Sequence, residues 1–318
     1  MSTDRIRPIA LLGVPIEAGT GRKGAAMGPA ALRVAELGAR LEALGWQVSD
    51  RGDVRPLAPQ QVETLDLPGA AYLPEVVAAW VRPLHDAAYD LAREGAIPIF
   101  LGGDHSLSMG SVTGVARHWA EEGRPLFVLW LDAHADFNTP AISPSGNLHG
   151  MSLALASGEA ELLPMMTRPA ALAPVPAERI CVFGARSIDP EERNLLRRRG
   201  VTVNDMRQID ENGVSLLMRD FIRKVKDING VLHVSLDVDF LDPAVAPGVG
   251  TTVPGGATYR EAHLVMELLE DAGITVSLDV VELNPFLDER GRSAIALAEL
   301  VASLFGQDVM DRPTQAFA

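Results

Sequence analysis

The stretch Leu126-Phe-Val-Leu-Trp-Leu-Asp-Ala-His-Ala-Asp136 decides both the architecture and the chemistry of this chain. Its apolar first half predicts a buried strand. Side chains alternate between two faces along an extended chain, so Asp132, His134 and Asp136 are expected to converge on one point beyond that strand. Carboxylates and imidazoles are common ligands of divalent metal ions. The stretch therefore predicts metal ligands at the end of a strand.

Two further stretches repeat this arrangement. Asp237-Val-Asp239 follows the apolar run 231–236, and Gly102-Gly-Asp-His105-Ser follows the apolar run 96–101. In parallel sheets, ligands bind at the edge formed by the carboxyl ends of the strands. We therefore expect one metal site at this edge, with six ligands: His105, Asp132, His134, Asp136, Asp237 and Asp239.

The composition of this ligand set favours two manganese ions. Six ligands are too many for one tetrahedral zinc ion, which takes about four. The four carboxylates carry a charge of −4, which two divalent ions would balance, and paired ions of this kind occur in hydrolytic sites. A shell that is rich in oxygen, free of cysteine and supplied with imidazole favours Mn²⁺. We predict two Mn²⁺ per subunit.

The composition excludes several classes of protein. The 318 residues carry a formal net charge of −14, which argues against nucleic acid or an anionic membrane as a partner. No apolar stretch reaches about 18 residues, and residues 1–8 lack the apolar core of a signal peptide. The single cysteine, Cys181, lies in an apolar run and is expected to be a buried packing residue. These features predict a cytoplasmic protein without disulfides.

Short apolar runs alternate with longer amphipathic segments along the chain. Strands are predicted over residues 9–14, 46–48, 97–101, 126–131, 180–183, 201–204, 231–236 and 274–280. Helices are predicted over residues 28–44, 73–93, 106–121, 149–157, 190–199, 214–225, 259–272 and 292–305. This alternation predicts an α/β fold, a three-layer αβα sandwich around a mostly parallel sheet. We expect one domain over residues 1–318.

Outside the ligand set, two residues are candidates for a functional role, and one further histidine is not. His149 follows a glycine-containing loop, where an acid–base role and a packing role are equally compatible with its position. Glu282 is an acid near the end of the last predicted strand and is not a candidate ligand. Its carboxylate suits a cationic partner, although a helix cap or a surface position would also account for it. His233 lies deep in a predicted strand and is expected to be a core histidine.

The three motifs resemble the signatures of the ureohydrolases, a family of dinuclear manganese enzymes. They are residues 102–106 (Gly-Gly-Asp-His-Ser), 132–136 (Asp-Ala-His-Ala-Asp) and 235–239 (Ser-Leu-Asp-Val-Asp). The resemblance runs from residue 13 to residue 285 and covers nearly the whole chain. Within this family, Asn138 and the loop 145–150 (Ser-Gly-Asn-Leu-His-Gly) are similar to arginase, in which that loop binds the α-amino acid end of the substrate.

The resemblance implies an arginase-like reaction, with L-arginine as the small-molecule substrate and ornithine and urea as the products. The six ligands would divide as follows: His105 and Asp136 on one ion, His134 and Asp239 on the other, and Asp132 and Asp237 as bridges. A hydroxide bridging the ions would attack the guanidinium carbon. Asp136 would carry its proton to the leaving amine, and His149 would exchange protons with solvent. The family also implies assembly into a homotrimer or homohexamer.

The resemblance assigns the remaining residues to the substrate: Glu282 to the guanidinium, Thr251 to the leaving group, Asn138, Ser145 and Asn147 to the α-carboxylate, and Asp189 to the α-ammonium. One position departs from this pattern, because arginases often have an aspartate where this chain has Ser187. Ser187 therefore keeps agmatine or another guanidino acid open as the substrate. A third hypothesis is a catalytically silent relative that acts as a binding protein or scaffold. The presence of all six ligands argues against it.

Overall fold

The eight apolar runs become eight parallel strands of one sheet in the computed structural model, which describes residues 7–166 and 172–308. The strands are β1 Ile9–Val14, β2 Val48–Asp53, β3 Ile97–Gly102, β4 Leu126–Leu131, β5 Ile180–Ala185, β6 Thr202–Asp205, β7 Val231–Asp237 and β8 Thr275–Val281. Their order across the sheet is β2-β1-β3-β8-β7-β4-β5-β6, and each neighbouring pair is parallel. The strands β3 and β4 are consecutive in the chain, yet β8 and β7 lie between them.

The described part of the chain contains ten α-helices: α1 Gly28–Val34, α2 Leu37–Ala43, α3 Pro74–Arg93, α4 Ser108–Glu121, α5 Ser152–Ser157, α6 Pro190–Arg199, α7 Met206–Asn212, α8 Val214–Asp227, α9 Tyr259–Ala272 and α10 Arg292–Leu304. Side chains of α3 to α6 pack on one face of the sheet, and those of the other helices pack on the opposite face. The predicted three-layer αβα sandwich is confirmed. Within residues 7–166 and 172–308, no helix is both long enough and apolar enough to span a membrane.

The alternation of strand side chains divides the core into two apolar layers. Ile9 and Leu11 of β1 belong to one layer, whereas Ala10 and Leu12 belong to the other. The central strand β4 is buried along its whole length, as is typical of a parallel sheet covered on both faces. Cys181 is fully buried within β5, as predicted.

Local structure differs from the prediction at four places. The helix predicted over 28–44 is wrong, because Glu36 adopts a φ of 61° and divides it into α1 and α2. The strand predicted over 46–48 is displaced, since β2 is an edge strand made largely of polar residues. The helix predicted over 149–157 begins as the 3-10 turn Leu148–Met151. The helix α7 was not predicted at all.

His233 is a core histidine, as predicted. Its ring is fully buried in β7, and Nδ1 lies 2.7 Å from Ser277 Oγ on the neighbouring strand β8. Its Nε2 lies 3.2 Å from Asp279 Oδ2, and the same carboxylate oxygen accepts hydrogen bonds from Ser108 and Ser111 of α4. This polar cluster joins α4 to the centre of the sheet.

The prediction that residues 1–8 lack a signal peptide falls mostly on residues outside the described part of the chain, which begins at residue 7.

Candidate metal centre

Functional side chains follow the carboxyl ends of the four central strands. His105 follows β3, Glu282 follows β8, Asp237 ends β7, and Asp132 follows β4. Because these strands are neighbours and parallel, their ends meet at one edge of the sheet. Gly103 permits the tight turn after β3, since a Cβ at this position would lie 2.2 Å from the carbonyl oxygen of Ile16. The topology therefore brings distant parts of the sequence to one place.

Three carboxylates surround the imidazole of His105. Its Nδ1 lies 3.1 Å from Asp132 Oδ2, 3.0 Å from Asp136 Oδ2 and 3.1 Å from Asp237 Oδ2. All four side chains are buried. The imidazole nitrogen thus faces three carboxylate oxygens, and ligand atoms of His105, Asp132 and Asp136 lie within 4.8 Å of one another.

A second group of donor atoms adjoins the first. His134 Nδ1 lies 3.0 Å from Asp239 Oδ2 and 3.4 Å from Asp132 Oδ1. Asp132 therefore presents one carboxylate oxygen to each histidine. Oδ1 of Asp132 also accepts the backbone N–H of His134, and Oδ1 of Asp237 likewise accepts that of Asp239. Asp237 differs in that it faces one histidine, His105, through Oδ2. The six predicted ligands all meet at this edge of the sheet.

The donor set fits metal ions. His105 Nδ1 and Asp132 Oδ2 are buried without a hydrogen-bond partner, although each faces the other. Burial disfavours a charged imidazole, yet hydrogen bonds to Asp132 and Asp239 raise the pKa of His134 to about 12. Burial, together with the charge of Asp132, raises the pKa of Asp239 to about 6. The cluster thus requires positive charge, which divalent cations would supply in place of protons.

Four neighbouring side chains hold the ring and the main chain of His105 in place. Ser235 Oγ lies 2.8 Å from its Nε2, and the ring of Trp130 stacks on it with centroids 4.0 Å apart and planes 2° apart. Its backbone N–H donates to Glu282 Oε1 at 2.8 Å, and Ser152 Oγ donates to its carbonyl oxygen at 2.9 Å. Neither Trp130 nor Ser235 was predicted as a site residue, since an apolar strand residue and a serine carry no distinctive signal.

Two residues of the site adopt strained backbone conformations. Asp136 has a φ of 49° and Glu282 a φ of 63°, both in the left-handed region that favours glycine. Such conformations cost of the order of 1 kcal/mol or more and persist where the surroundings fix them. The carbonyl oxygen of Asp136 accepts hydrogen bonds from the N–H groups of Leu153 and Ala154, which helps to fix its backbone.

His149 and Glu282 form an ion pair beside the ligand cluster. His149 Nδ1 lies 2.8 Å from Glu282 Oε1, the oxygen that also accepts from the His105 N–H. Burial lowers the pKa of His149, but the charge of Glu282 outweighs it and raises this pKa to about 9. Burial likewise opposes ionisation of Glu282, and the charge of His149 holds the pKa of that carboxyl below its usual range. His149 and Glu282, two of the three predicted catalytic residues, thus lie beside the cluster that contains the third, Asp136.

The predicted substrate-binding residues line a loop beside the cluster. The N–H of Asn138 donates to the carbonyl of Gly150 at 3.1 Å and so closes the loop that carries Ser145 and Asn147. Within that loop, Ser145 Oγ accepts from the N–H of Asn147. Asn138 Nδ2 donates to Asp189 Oδ2 at 3.1 Å, which brings two predicted substrate contacts together.

Thr251 contacts the cluster directly. Its Oγ1 donates to Asp239 Oδ2 at 3.3 Å, and this is the oxygen that faces His134. The position of Thr251 is therefore tied to a predicted ligand.

Glu192 is a site residue that sequence analysis missed. Its buried carboxylate accepts from the N–H of Phe137 at 2.8 Å and from the N–H of Asp189 at 3.2 Å. It thus joins the residue after Asp136 to the start of α6. Burial raises the pKa of this carboxyl to about 8. The only signal in the sequence is the spacing of Asp189 and Glu192, which is that of a helix capping box.

Known proteins are similar to this chain in sequence and in fold over almost its whole length. A sequence model described as "Arginase family" matches residues 7–306. An arginase of Brucella melitensis is 52% identical over 306 residues, covering 96% of this chain and 98% of that protein. The structure of arginase from Bacillus caldovelox has a TM-score of 0.86 and 39% identity, covering 96% and 100% of the two chains. The structure of Entamoeba histolytica arginase in complex with L-ornithine has a TM-score of 0.81 and 27% identity, covering 95% and 99%.

Proposed function

Because the chain belongs to the arginase family, we propose that it hydrolyses L-arginine to L-ornithine and urea. The observation that carries the proposal is the convergence of six imidazole and carboxylate side chains beside the ion pair of Glu282 and His149. The ornithine bound in the Entamoeba histolytica relative supports an amino acid product. A net charge of −14 is also compatible with a cationic substrate.

We propose that the cluster holds two Mn²⁺ ions. His105 and Asp136 would bind one ion, His134 and Asp239 would bind the other, and Asp132 and Asp237 would bridge them. The two oxygens of Asp132, one facing each histidine, support its bridging role. When bound, two divalent cations supply the charge that lowers the pKa of a water molecule and makes it a nucleophile at neutral pH.

The protein's own groups would position the guanidinium and move protons. Glu282 Oε1 already accepts from His105 and His149, which leaves Oε2 to pair with the guanidinium of the substrate. Water adds to the guanidinium carbon, and the bond from this carbon to the side-chain nitrogen of the substrate breaks. Asp136 would take the proton of the attacking water and pass it to the leaving amine. His149 would exchange protons between this site and solvent, since it is half-buried.

The α-amino acid end of the substrate would lie against the loop closed by Asn138. One N–H of the Asn138 side chain is bonded to Asp189, and the other is available to a carboxylate. Ser145 and Asn147 would complete the carboxylate site, and Asp189 would bind the α-ammonium. Thr251 would contact the leaving group.

Ser187 supports a second candidate function, the hydrolysis of agmatine or of a guanidino acid other than arginine. Its side chain is exposed two residues before Asp189 and supplies no charge to an α-ammonium. Agmatine lacks the carboxylate that the Asn138 loop would bind. The rates of hydrolysis of arginine and of agmatine therefore distinguish the two candidate functions.

Urea release from arginine and from agmatine, measured side by side with Mn²⁺, tests the proposal. We expect kcat/KM for arginine to exceed that for agmatine by at least about tenfold, because agmatine leaves the polar groups of the loop unpaired. A preference for agmatine of that size would contradict the arginase function. Metal analysis tests the third hypothesis, a catalytically silent relative. If the purified chain holds only traces of Mn²⁺ after incubation with excess Mn²⁺, it cannot be the proposed manganese enzyme.

The assembly and the cellular compartment stay predictions. We propose a homotrimer or homohexamer, which light scattering coupled to size-exclusion chromatography distinguishes. A cytoplasmic location is compatible with a single, buried cysteine and is tested by fractionation.

A further inference from the structure

Arg186 is a cation outside the proposed ligand and substrate residues, and its guanidinium binds four backbone carbonyls. Nη2 donates to Asp239 at 2.6 Å, to Leu241 at 3.4 Å and to Val253 at 2.7 Å, while Nε also donates to Val253 at 3.0 Å. Nη1 donates to Gly184 at 3.3 Å. The side chain therefore bridges segments that follow two different strands, β5 and β7.

Two of these carbonyls belong to a proposed metal ligand, Asp239, and to the loop that carries Thr251. Asp239 is a proposed ligand, and Val253 lies two residues after Thr251, whose hydroxyl donates to Asp239 Oδ2. The backbone N–H of Arg186 donates to the carbonyl of Ala133 at 2.8 Å, between two proposed ligands. Ala133 in turn donates its N–H to Asp239 Oδ1 at 2.9 Å. One residue thus connects the 132–136 segment, Asp239 and the loop that carries Thr251.

The chemistry of these contacts requires arginine. The guanidinium is planar and carries five N–H donors in a fixed fork, whereas lysine carries one compact ammonium on a flexible stem. Gly256 leaves room for this fork, since a Cβ at that position would lie 2.6 Å from Arg186 Nη2. A lysine at position 186 would keep the positive charge but would not reach carbonyls from both segments at once.

We propose that Arg186 is a positioning residue that holds Asp239 and the Thr251 loop in place for the ion at His134 and Asp239. The inference rests on the proposed function, because it assumes that this cluster binds cations. Residues that orient metal ligands typically change metal affinity by about 10–100-fold when they are replaced. The same loss is expected when the fork of Arg186 is removed.

Titration of the metal-free protein with Mn²⁺, followed by calorimetry, tests this role without substrate. We expect Arg186→Lys to weaken the binding of one of two ions by about tenfold or more and to leave the other nearly unchanged. At saturating Mn²⁺, kcat should recover most of its wild-type value, whereas the Mn²⁺ concentration for half-maximal activity should rise by about the same tenfold factor. Arg186→Gln, which lacks the charge and keeps one amide, should show a loss at least as large.

Arg124→Lys is the matched control. Arg124 also binds two backbone carbonyls, those of Asn229 and Gly230, but at the opposite end of β7. We expect this variant to bind Mn²⁺ like the wild type, even if its thermal stability falls. Equal loss of affinity in Arg124→Lys and Arg186→Lys would overturn the inference, because it would indicate a general structural effect.

The outcomes for Arg186 and for the proposed function are separable. A wild-type chain that binds two Mn²⁺ ions but releases no urea contradicts the proposed function alone. A folded Arg186 variant, lysine or glutamine, that titrates like the wild type contradicts the role of Arg186 alone. Circular dichroism establishes which variants are folded before they are titrated.

Discussion

Replacing Ser235 by alanine tests the support of His105 without changing a proposed metal ligand. Ser235 Oγ lies 2.8 Å from His105 Nε2, and both side chains are buried. A metal ion binds a neutral imidazole through one nitrogen, so the other nitrogen carries the proton. In this site Nδ1 faces the carboxylates, so with a metal ion on Nδ1 the hydroxyl of Ser235 would accept the N–H of Nε2. Ser235→Ala leaves that donor buried and unpaired.

The size of the effect follows from this unpaired donor. A buried polar group that loses its partner costs about 1–3 kcal/mol. At about 1.4 kcal/mol for each factor of ten, this corresponds to a roughly 5- to 150-fold loss of affinity. Stacking on Trp130 and the two main-chain hydrogen bonds of His105, to Glu282 and from Ser152, remain, so the ring is expected to stay close to its position. The loss should therefore fall on the ion bound by His105.

Ser277→Ala provides the matched control. Ser277 makes the same kind of buried contact, 2.7 Å from His233 Nδ1, on the adjacent strands β7 and β8. His233 is not a proposed ligand, so this variant should lose stability but keep its Mn²⁺ affinity. Calorimetric titration of metal-free protein measures the affinity, and thermal unfolding measures the stability of each variant.

Two results would refute the reasoning. If Ser235→Ala bound Mn²⁺ as tightly as the wild type, the hydrogen bond between His105 Nε2 and Ser235 would not contribute to metal affinity. If both serine variants lost Mn²⁺ affinity equally, the effect would come from the sheet rather than from the tautomer of His105.

Three other variants test separate parts of the site. Asp132→Ala should lose most bound Mn²⁺ and nearly all turnover, because its two oxygens face both histidines; normal metal content by elemental analysis would exclude it as a bridge. His149→Asn should keep both ions and lower kcat by about 10²-fold or more, as for an acid–base group; loss of metal would make it a ligand instead. Burial raises the pKa of Glu192 from an ordinary 4.5 to about 8, so the folded state binds its proton more tightly and the metal-free protein should lose stability as pH rises through this range. Glu192→Gln should flatten that part of the profile of Tm against pH, and an unchanged profile would assign the loss to other groups.

The central strands were predictable from the sequence because their apolar runs are bounded by polar ligands. The run Leu126–Leu131 coincides with β4, since every residue of this strand is buried. The edge strand β2 was displaced in the prediction because its segment Val48–Asp53 contains three charged residues and resembles a loop. The break at Glu36 was missed for a similar reason: the apolar pattern continues across it, and the backbone conformation of one residue ends the helix.

The proposed ligands were predictable, whereas their supports were not. Each ligand directly follows an apolar run, so its place at the sheet edge depends on local sequence. Glu192 and Arg186 act through the backbone of segments 53 to 67 positions away, and nothing in the local sequence indicates those partners. Arg186 lies three residues before Asp189, and the resemblance to arginase drew attention to Ser187 and Asp189 but not to Arg186.

The strand order has a consequence for how the protein is made. A ribosome completes β3 and β4 long before β7 and β8, yet in the finished sheet the later pair separates the earlier one. A nascent chain of about 230 residues therefore contains two incomplete sheet fragments with bare inner edges, which favour pairing with other chains. The same nascent chain has His105 and the 132–136 segment but lacks Asp237, Asp239 and Glu282. Insertion of the last two strands would close both edges and bring all six proposed ligands together, so tight binding of the proposed metal ions should mark a chain that has finished folding.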